Sequence, residues 1–500
     1  MTDLGRRTSE TRLPHARRPW SPEPLSQPDA TTDAVVLLPG IMGSVLEDAD
    51  TGETLWGISG RALVTAWSSG GPLDKLIVTD EERHGETGRI LAKSILTLPV
   101  AAPVLRGVEP YDRLRQAIGA VTWPGAVKDF PYDWRLSVEH NAAVLVDIAR
   151  AHLNTWRRIV AGHPHMADRP RPRLVFVAHS MGGLIATVAL KTNPALAADT
   201  RAVITLGTPF HGSVLAVAML ARQRRFPTSP RGRLHALAVS APGLYDLLPI
   251  YRCVDAGTDV QLLTSKHISG LGGRDDLAHQ ALTARRALLT SATSPPGHRP
   301  AIGITQPTPA SLSIDGGTVA LQPYGYLSGP DGLLQRDPAT GIPVRTVRHG
   351  DGTVYRDAAY PYSNASLAYV PARHGAMTRH KAALLHVTSV LTEHDYHLGP
   401  PAGTDAIGIT VPDHVVSGQP WTLRIDTTRS PAALHASIAL VDDEDHATTL
   451  RLNRTDGPER GRLLQAQHVA TAPGLYRITV DSGSGPDNRL TELLIVTEGS

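Results

Sequence analysis

Apolar runs and helical spacings alternate through most of the chain. "DAVVLLPG" (33–40) is a short unbroken apolar run stopped by Pro-Gly, the form of a strand buried on both faces. "VKDFPYDWR" (127–135), "RPRLVFVAHS" (171–180) and "RAVITLGTPF" (201–210) repeat that form. Between them, Ala143, Leu145, Ile148 and Leu153 fall at helical spacing over Ser137 to about Val160, and a second helix is expected from Gly182 to about Lys191. Strands alternating with helices predict a mostly parallel sheet with helices on both faces. From Phe210 to about Pro300 the rhythm breaks into Pro-rich, basic pieces and short amphipathic helices with few strand signals. An insertion there, about 211–300, would lie above the strand ends as a cap or lid. Strand signals return at "RPAIGIT" (299–305), followed by a hairpin-like excursion and "PVRTVRHGDGTVY" (343–355). "ASLAYVPARHG" and the helical "AMTRHKAALLHVTSVLTEH" then close the unit, 33–398.

The remaining segments have a different texture. Residues 1–32 are polar and Pro-rich and read as a flexible arm. After a linker, "HLGPPAGTD" (397–405), the runs "QPWTLRID", "LHASIALV", "GRLLQAQHV", "GLYRITVD" and "LTELLIVT" are short strands separated by Gly, Pro, Asp and Asn. That rhythm predicts an immunoglobulin-like β-sandwich over 403–498.

Composition narrows the function classes. Lys+Arg of 49 against Asp+Glu of 47 gives no reason to expect nucleic acid as a partner. One cysteine, Cys253, excludes an intramolecular disulfide and any Cys-based zinc cage, and the reading calls for no metal and no cofactor. Arg6-Arg7 invites a twin-arginine export reading, but no apolar stretch follows, and no run of about 18 apolar residues occurs anywhere. The expectation is a cytoplasmic protein.

The chemistry centres on "AHSMGG" (178–183). A buried strand running into small residues and then a helix is the setting of a nucleophile elbow, with Ser180 at its point and Ala178 replacing the usual first glycine of G-x-S-x-G. The competing reading makes Ser180 the N-cap of the helix. "LLPGIMGS" (37–44) ends a strand at Pro39-Gly40, exposing the Ile41 amide; with the Met181 amide it would form an oxyanion hole. In this strand–turn–helix arrangement the acid and then the histidine follow the serine. Asp351, between two glycines in "HGDGTV", is the candidate acid and Asp357 its rival. His374, in the loop between the last strand and the last helix, is the candidate base. His380 is its main competitor, ahead of His386, His394 and His397.

These blocks resemble the lecithin:cholesterol acyltransferase family of α/β-hydrolases. The resemblance rests on "VVLLPGIMGS", "LWG" (55–57), "PYDWR" (131–135), "AHSMGG", "LGTPFHGS" (206–213), "GDGTV" and "HGAM", in that order, from about Asp33 to His394. "PGLYDLLP" (242–249) is similar to a family block in the cap. The resemblance implies an α/β-hydrolase fold with a lid, the nucleophile at Ser180, the acid at Asp351, the base at His374 and oxyanion amides at Ile41 and Met181. It implies a glycerolipid acyl ester as substrate. Asp133 and Arg135 of "PYDWR" look structural, an ion pair under the active-site floor, and His211 looks like a packing residue. Secreted animal members carry disulfides, which this chain cannot form, and the sandwich is not part of the family core.

Three functions follow as expectations: a lipid or carboxyl-ester hydrolase working through an acyl-enzyme, an acyltransferase passing the same acyl group to an alcohol, and a silent scaffold on a hydrolase fold whose sandwich docks a protein partner. Arg222, Arg224, Arg225, Arg231 and Arg233, after the apolar "VLAVAML" (214–220), could rest on an anionic membrane; a solvated loop is the plainer reading.

Overall fold

A computed structural model of the chain describes residues 30–57, 71–97, 100–102, 106–108, 110–166, 168–221, 230–290, 294–328, 333–347, 349–360, 367–393, 407–412, 414–427, 431–455, 462–481 and 489–498. Six strands form the central sheet: β1 (Ala34–Leu38), β2 (Val127–Asp129), β3 (Leu174–His179), β4 (Thr200–Leu206), β5 (His298–Gly303) and β6 (Ala368–Val370). They lie in the order β6-β5-β4-β3-β1-β2, and every pairing is parallel. β1 and β3 are buried along their whole length. That burial is why they read as continuous apolar runs with no alternation. Helices α1 (Asp112–Ala120), α2 (Val138–Ala161), α3 (Met181–Thr192) and α6 (Lys381–Leu391) flank the sheet; the cap contributes α4 (Pro230–Ser240) and α5 (Pro242–Tyr245) among others. Ser137 caps α2 by accepting from the His140 amide. The fold is that of an α/β-hydrolase, with all-β sheets at the C-terminal end.

The cap region holds more strand than its sequence implies. Arg252–Asp255 and Val260–Leu262 join Ser311–Asp315 and Thr318–Gln322 in a separate four-stranded sheet, so this layer continues past residue 300. Its outer strands are only three and five residues long; Val260–Leu262 is mostly exposed, and in Thr318–Gln322 only Val319 and Leu321 turn to the core, a pattern too short to stand out. Among the described residues of "PVRTVRHGDGTVY", only Arg345–Thr346 is strand, paired with Gly325–Tyr326. Arg222, Arg224 and Arg225 lie outside the described residues. Arg233 pairs with Asp74.

The C-terminal strands form a four-stranded and a five-stranded sheet. Leu423, Ile425 and Leu464 of the first and Ile438, Ile478 and Leu494 of the second share one buried cluster. The linker, along with His394 and His397, lies outside the described residues. No helix among the described residues is long and apolar enough to cross a membrane.

Candidate active site

β3 delivers Ser180 to its C-terminal end, where the chain turns sharply into α3. Ser180 has φ +53° and ψ −124°, a backbone that non-glycine residues rarely adopt. The turn is tight because the helix start lies against the end of β1: a Cβ on Gly182 would sit 2.5 Å from the Pro39 carbonyl oxygen. Glycine to alanine in a helix is normally stabilising by about 1 kcal/mol. Here the backbone oxygen cannot step aside, so Gly182→Ala is expected to destabilise by about 1–3 kcal/mol, read as a lower urea midpoint. A midpoint at or above wild type would mean that the strand end yields.

The Ser180 side chain does not cap α3. Its Oγ lies 2.8 Å from His374 Nε2. His374 Nδ1 lies 2.7 Å from Asp351 Oδ2, and the other carboxylate oxygen accepts the amides of Thr353 at 2.9 Å and Val354 at 2.6 Å. The His374 amide also donates to the Asp351 carbonyl at 2.9 Å. Three residues separated by up to 194 positions are thus drawn into one line. Ser180 and Asp351 are 4% and 2% exposed. Gly207, at the end of β4, makes room for the pair: a Cβ there would meet Asp351 Oδ2 at 3.0 Å and His374 Nδ1 at 3.1 Å.

The rivals are engaged elsewhere. Asp357 accepts from the Tyr355 hydroxyl at 3.1 Å. His380 caps α6, accepting from the Ala382 amide, and His386 is buried against the Arg299 carbonyl. The His211 amide donates to the Ala358 carbonyl, and burial, with Arg285 nearby, brings its imidazole down to about 4.

Ile41 stands in the turn after β1, lining the same cleft as Ser180 and His374. No hydrogen bond within the described chain occupies the Ile41 or the Met181 amide. The turn is held from three sides. Gly40 N–H donates to the Tyr111 hydroxyl at 2.8 Å, Tyr132 donates to the Pro39 carbonyl at 3.0 Å, and Trp56 Nε1 donates to the Met42 carbonyl at 2.8 Å. Trp56 in turn packs edge-on against Trp134, with centroids 5.3 Å apart. The "LWG" and "PYDWR" blocks therefore meet beneath the Ile41 turn.

Arg135 extends that support. It is fully buried and pairs with Asp133 at 2.6 Å and with Glu82 at 2.8 Å, which makes the expected ion pair a triad of charges. Its carbonyl accepts from Gly243 of the "PGLYDLLP" block, and Asp246 of that block accepts from the first amide of α2 at 2.7 Å. Glu82 and Tyr111 were not found from the sequence; each sits in an ordinary amphipathic context far along the chain from its partner.

His179, directly before Ser180, closes a second chain of bonds. Burial pushes its imidazole down to about 3, so it is neutral. Nδ1 accepts from the Tyr111 hydroxyl at 2.8 Å, and Nε2–H donates to the His374 carbonyl at 3.0 Å. The Ile41 turn and the His374 loop are thereby tied through two side chains.

Burial also brings His298 down to about 4. In the unfolded chain these histidines return to their ordinary value of 6.5, so unfolding between pH 6.5 and 4 takes up about three protons, at His179, His211 and His298. Asp246 has the opposite sign: burial, with Glu139 nearby, raises it to about 7, and unfolding releases its proton. From these four groups alone the net uptake of about two protons makes stability fall by about 3 kcal/mol per pH unit as pH drops from about 6 to 5, and burial of His152 and His386, which lowers both, adds in the same sense. Urea titrations at several pH values measure this slope; a flat profile would contradict the burial of these imidazoles.

Fold and site together define an α/β-hydrolase whose strand ends present a serine, a histidine and an aspartate in line. Residues 118–267 match the family model described as lecithin:cholesterol acyltransferase, a match over part of the chain that supports an enzyme of the lipase, esterase or acyltransferase type. No curated protein sequence matches it. Similar solved structures include the Tle4–Tli4 complex (13% identity, 72% of this chain and 99% of that one, TM-score 0.41). The propeptide form of the Bacillus licheniformis lipase BlEst2 is another (13% identity, 94% and 75%, TM-score 0.36). A third is the metagenomic carboxyl esterase MGS0156 (16% identity, 58% and 57%, TM-score 0.24).

Proposed function

We propose that the protein hydrolyses carboxylic esters with apolar acyl chains through an acyl-enzyme on Ser180, with His374 as base and Asp351 as the orienting acid. The observation that carries this reading is the unbroken line from Ser180 Oγ through both ring nitrogens of His374 to a carboxylate pinned by two amides. His374 Nε2 takes the Ser180 proton as Oγ bonds to the ester carbonyl carbon. The carbonyl oxygen, now negative, is received by the Ile41 and Met181 amides, which have no partner among the described hydrogen bonds to give up as charge develops. His374 then gives its proton to the departing alcohol, leaving an acyl-serine. Water, deprotonated by the same nitrogen, releases the acid and restores Ser180.

The substrate class comes from the cleft. Ile41, Pro209, Ala216, Leu247 and Val354 line it beside Ser180 and His374, an apolar wall suited to an acyl chain. The match to a family described by acyl transfer supports a second reading, in which an alcohol takes the place of water. Both share every step up to the acyl-serine, and product analysis with and without a lipid alcohol separates them. An intact serine–histidine–aspartate line argues against a silent scaffold.

The test is labelling with a fluorophosphonate, comparing wild type with Ser180→Ala. The expected result is a covalent adduct on Ser180 in wild type and none in the variant. Equal labelling of the two would sink the reading at its centre.

A further inference from the structure

We propose that the C-terminal sandwich is a brace for the acid and the base, and that Gln306, Arg373 and Glu492 are positioning residues through which it acts. This inference rests on the roles assigned above to Asp351 and His374. The need for a brace follows from where the three groups hang. Ser180 sits between a fully buried strand and a buried helix in the middle of the sheet. Asp351 and His374 stand on loops before and after β6, which is three residues long and forms the sheet's edge. The sheet holds them from one side, through His179 on the His374 carbonyl and the close approach of Gly207 and Gly303 to Asp351, and among the described residues no further strand of that sheet lies beyond β6.

The sandwich supplies one attachment on each side. On the base side, Arg373 immediately precedes His374, and its Nε lies 2.5 Å from Oε2 of Glu492, in the strand Arg489–Thr497. Both residues are buried. The contact is an ion pair without hydrogen-bond geometry, and it holds the two segments together because separating the charges would leave each uncompensated in a low-dielectric setting. The same strand runs alongside the turn Gly375–Thr378 that follows His374.

On the acid side, Gln306 exchanges two 3.0 Å backbone hydrogen bonds with Gly350, the neighbour of Asp351. Its buried side chain reaches the other way: Nε2 donates to the Ile407 carbonyl at 2.9 Å, and Oε1 accepts from the Ile409 amide at 3.3 Å. Ile407 and Ile409 belong to the sandwich strand Ile407–Thr410. Two local features mark this contact as tightly specified. Thr305, just before Gln306, is a β-branched residue at φ +77°, a conformation kept only where the surroundings hold it. A Cβ on Gly408 would approach Pro307 Cδ to 2.8 Å, so strand and loop touch with no room to spare.

The test uses two variants of the full chain. Arg373→Met/Glu492→Leu replaces the ion pair by apolar side chains of similar volume, a change that buried pairs commonly tolerate. Gln306→Met removes the acid-side link. In each, kcat on a nitrophenyl ester is expected to fall about 10- to 100-fold, the scale of an ångström-sized misplacement of catalytic groups. KM is expected to stay within about twofold, since the cleft walls are untouched. The rate of fluorophosphonate labelling at Ser180 should fall with kcat, while the final fraction of labelled chains stays at the wild-type level. Wild-type kcat in either folded variant overturns the brace, as does a loss of kcat that only tracks a smaller labelled fraction. If the double variant does not fold, Gln306→Met decides by the same readings. A wild-type chain that never labels at Ser180 is a different result: it removes the catalytic reading itself.

Discussion

Alanine at Ser180 is expected to lower ester turnover by about 10⁶-fold, alanine at His374 to lower it about as much, and the double substitution to lower it hardly further. The reason is the 2.8 Å bond between Ser180 Oγ and His374 Nε2. A serine hydroxyl without a base is a poor nucleophile near neutral pH, and a base without the hydroxyl has nothing to deprotonate, so either loss removes the whole covalent route. What survives is the Ile41 and Met181 amides and the apolar cleft, which bind and polarise the ester while water attacks directly, and KM should therefore change little. His380→Ala supplies the contrast. That imidazole caps α6, so its loss is expected to touch stability and leave kcat near wild type. Single and double rate constants on a nitrophenyl ester check the pattern. Additive losses at Ser180 and His374, or a larger loss at His380, would move the base elsewhere.

Asp351→Asn is expected to cost about 10⁴-fold in kcat with the fold intact. The two amides of Thr353 and Val354 dictate how the new side chain must sit. They donate to one carboxylate oxygen, so an asparagine keeps its carbonyl there and turns its NH₂ toward His374. His374 Nδ1 then becomes an acceptor, the ring proton moves to Nε2, and the nitrogen facing Ser180 can no longer take a proton. Asp357→Asn, next to Tyr355, should leave kcat close to wild type. Rates of both variants, with a urea titration to verify folding, test the assignment. A small effect at Asp351 beside a large one at Asp357 would reverse it.

Much of the candidate site was legible because each of its parts is a local pattern. A strand buried on both faces must be apolar throughout, so β1, β3 and β4 stood out. A strand-to-helix turn against a neighbouring strand needs residues without bulk, and "AHSMGG" shows that need in six consecutive letters. Asp351 and His374 could be singled out by their loops and by the order of the groups along the chain. Asn453–Thr455 and Asp443–Leu450 could not, since their side chains are largely exposed and carry no apolar alternation.

The supporting residues were hidden for a different reason. Tyr111 meets His179 across 68 positions and Glu82 meets Arg135 across 53. Gln306 grips a strand about a hundred residues away, and Glu492 stands beside Arg373 from the far end of the chain. By itself the sequence determined the strands, the elbow and the identities of the candidate nucleophile, acid and base, because short-range sterics and burial act on neighbouring residues. Only the tertiary structure decided which side chains hold those groups in line, because a hydrogen bond or ion pair between distant segments depends on where the folded chain brings them and leaves no periodic mark in either segment.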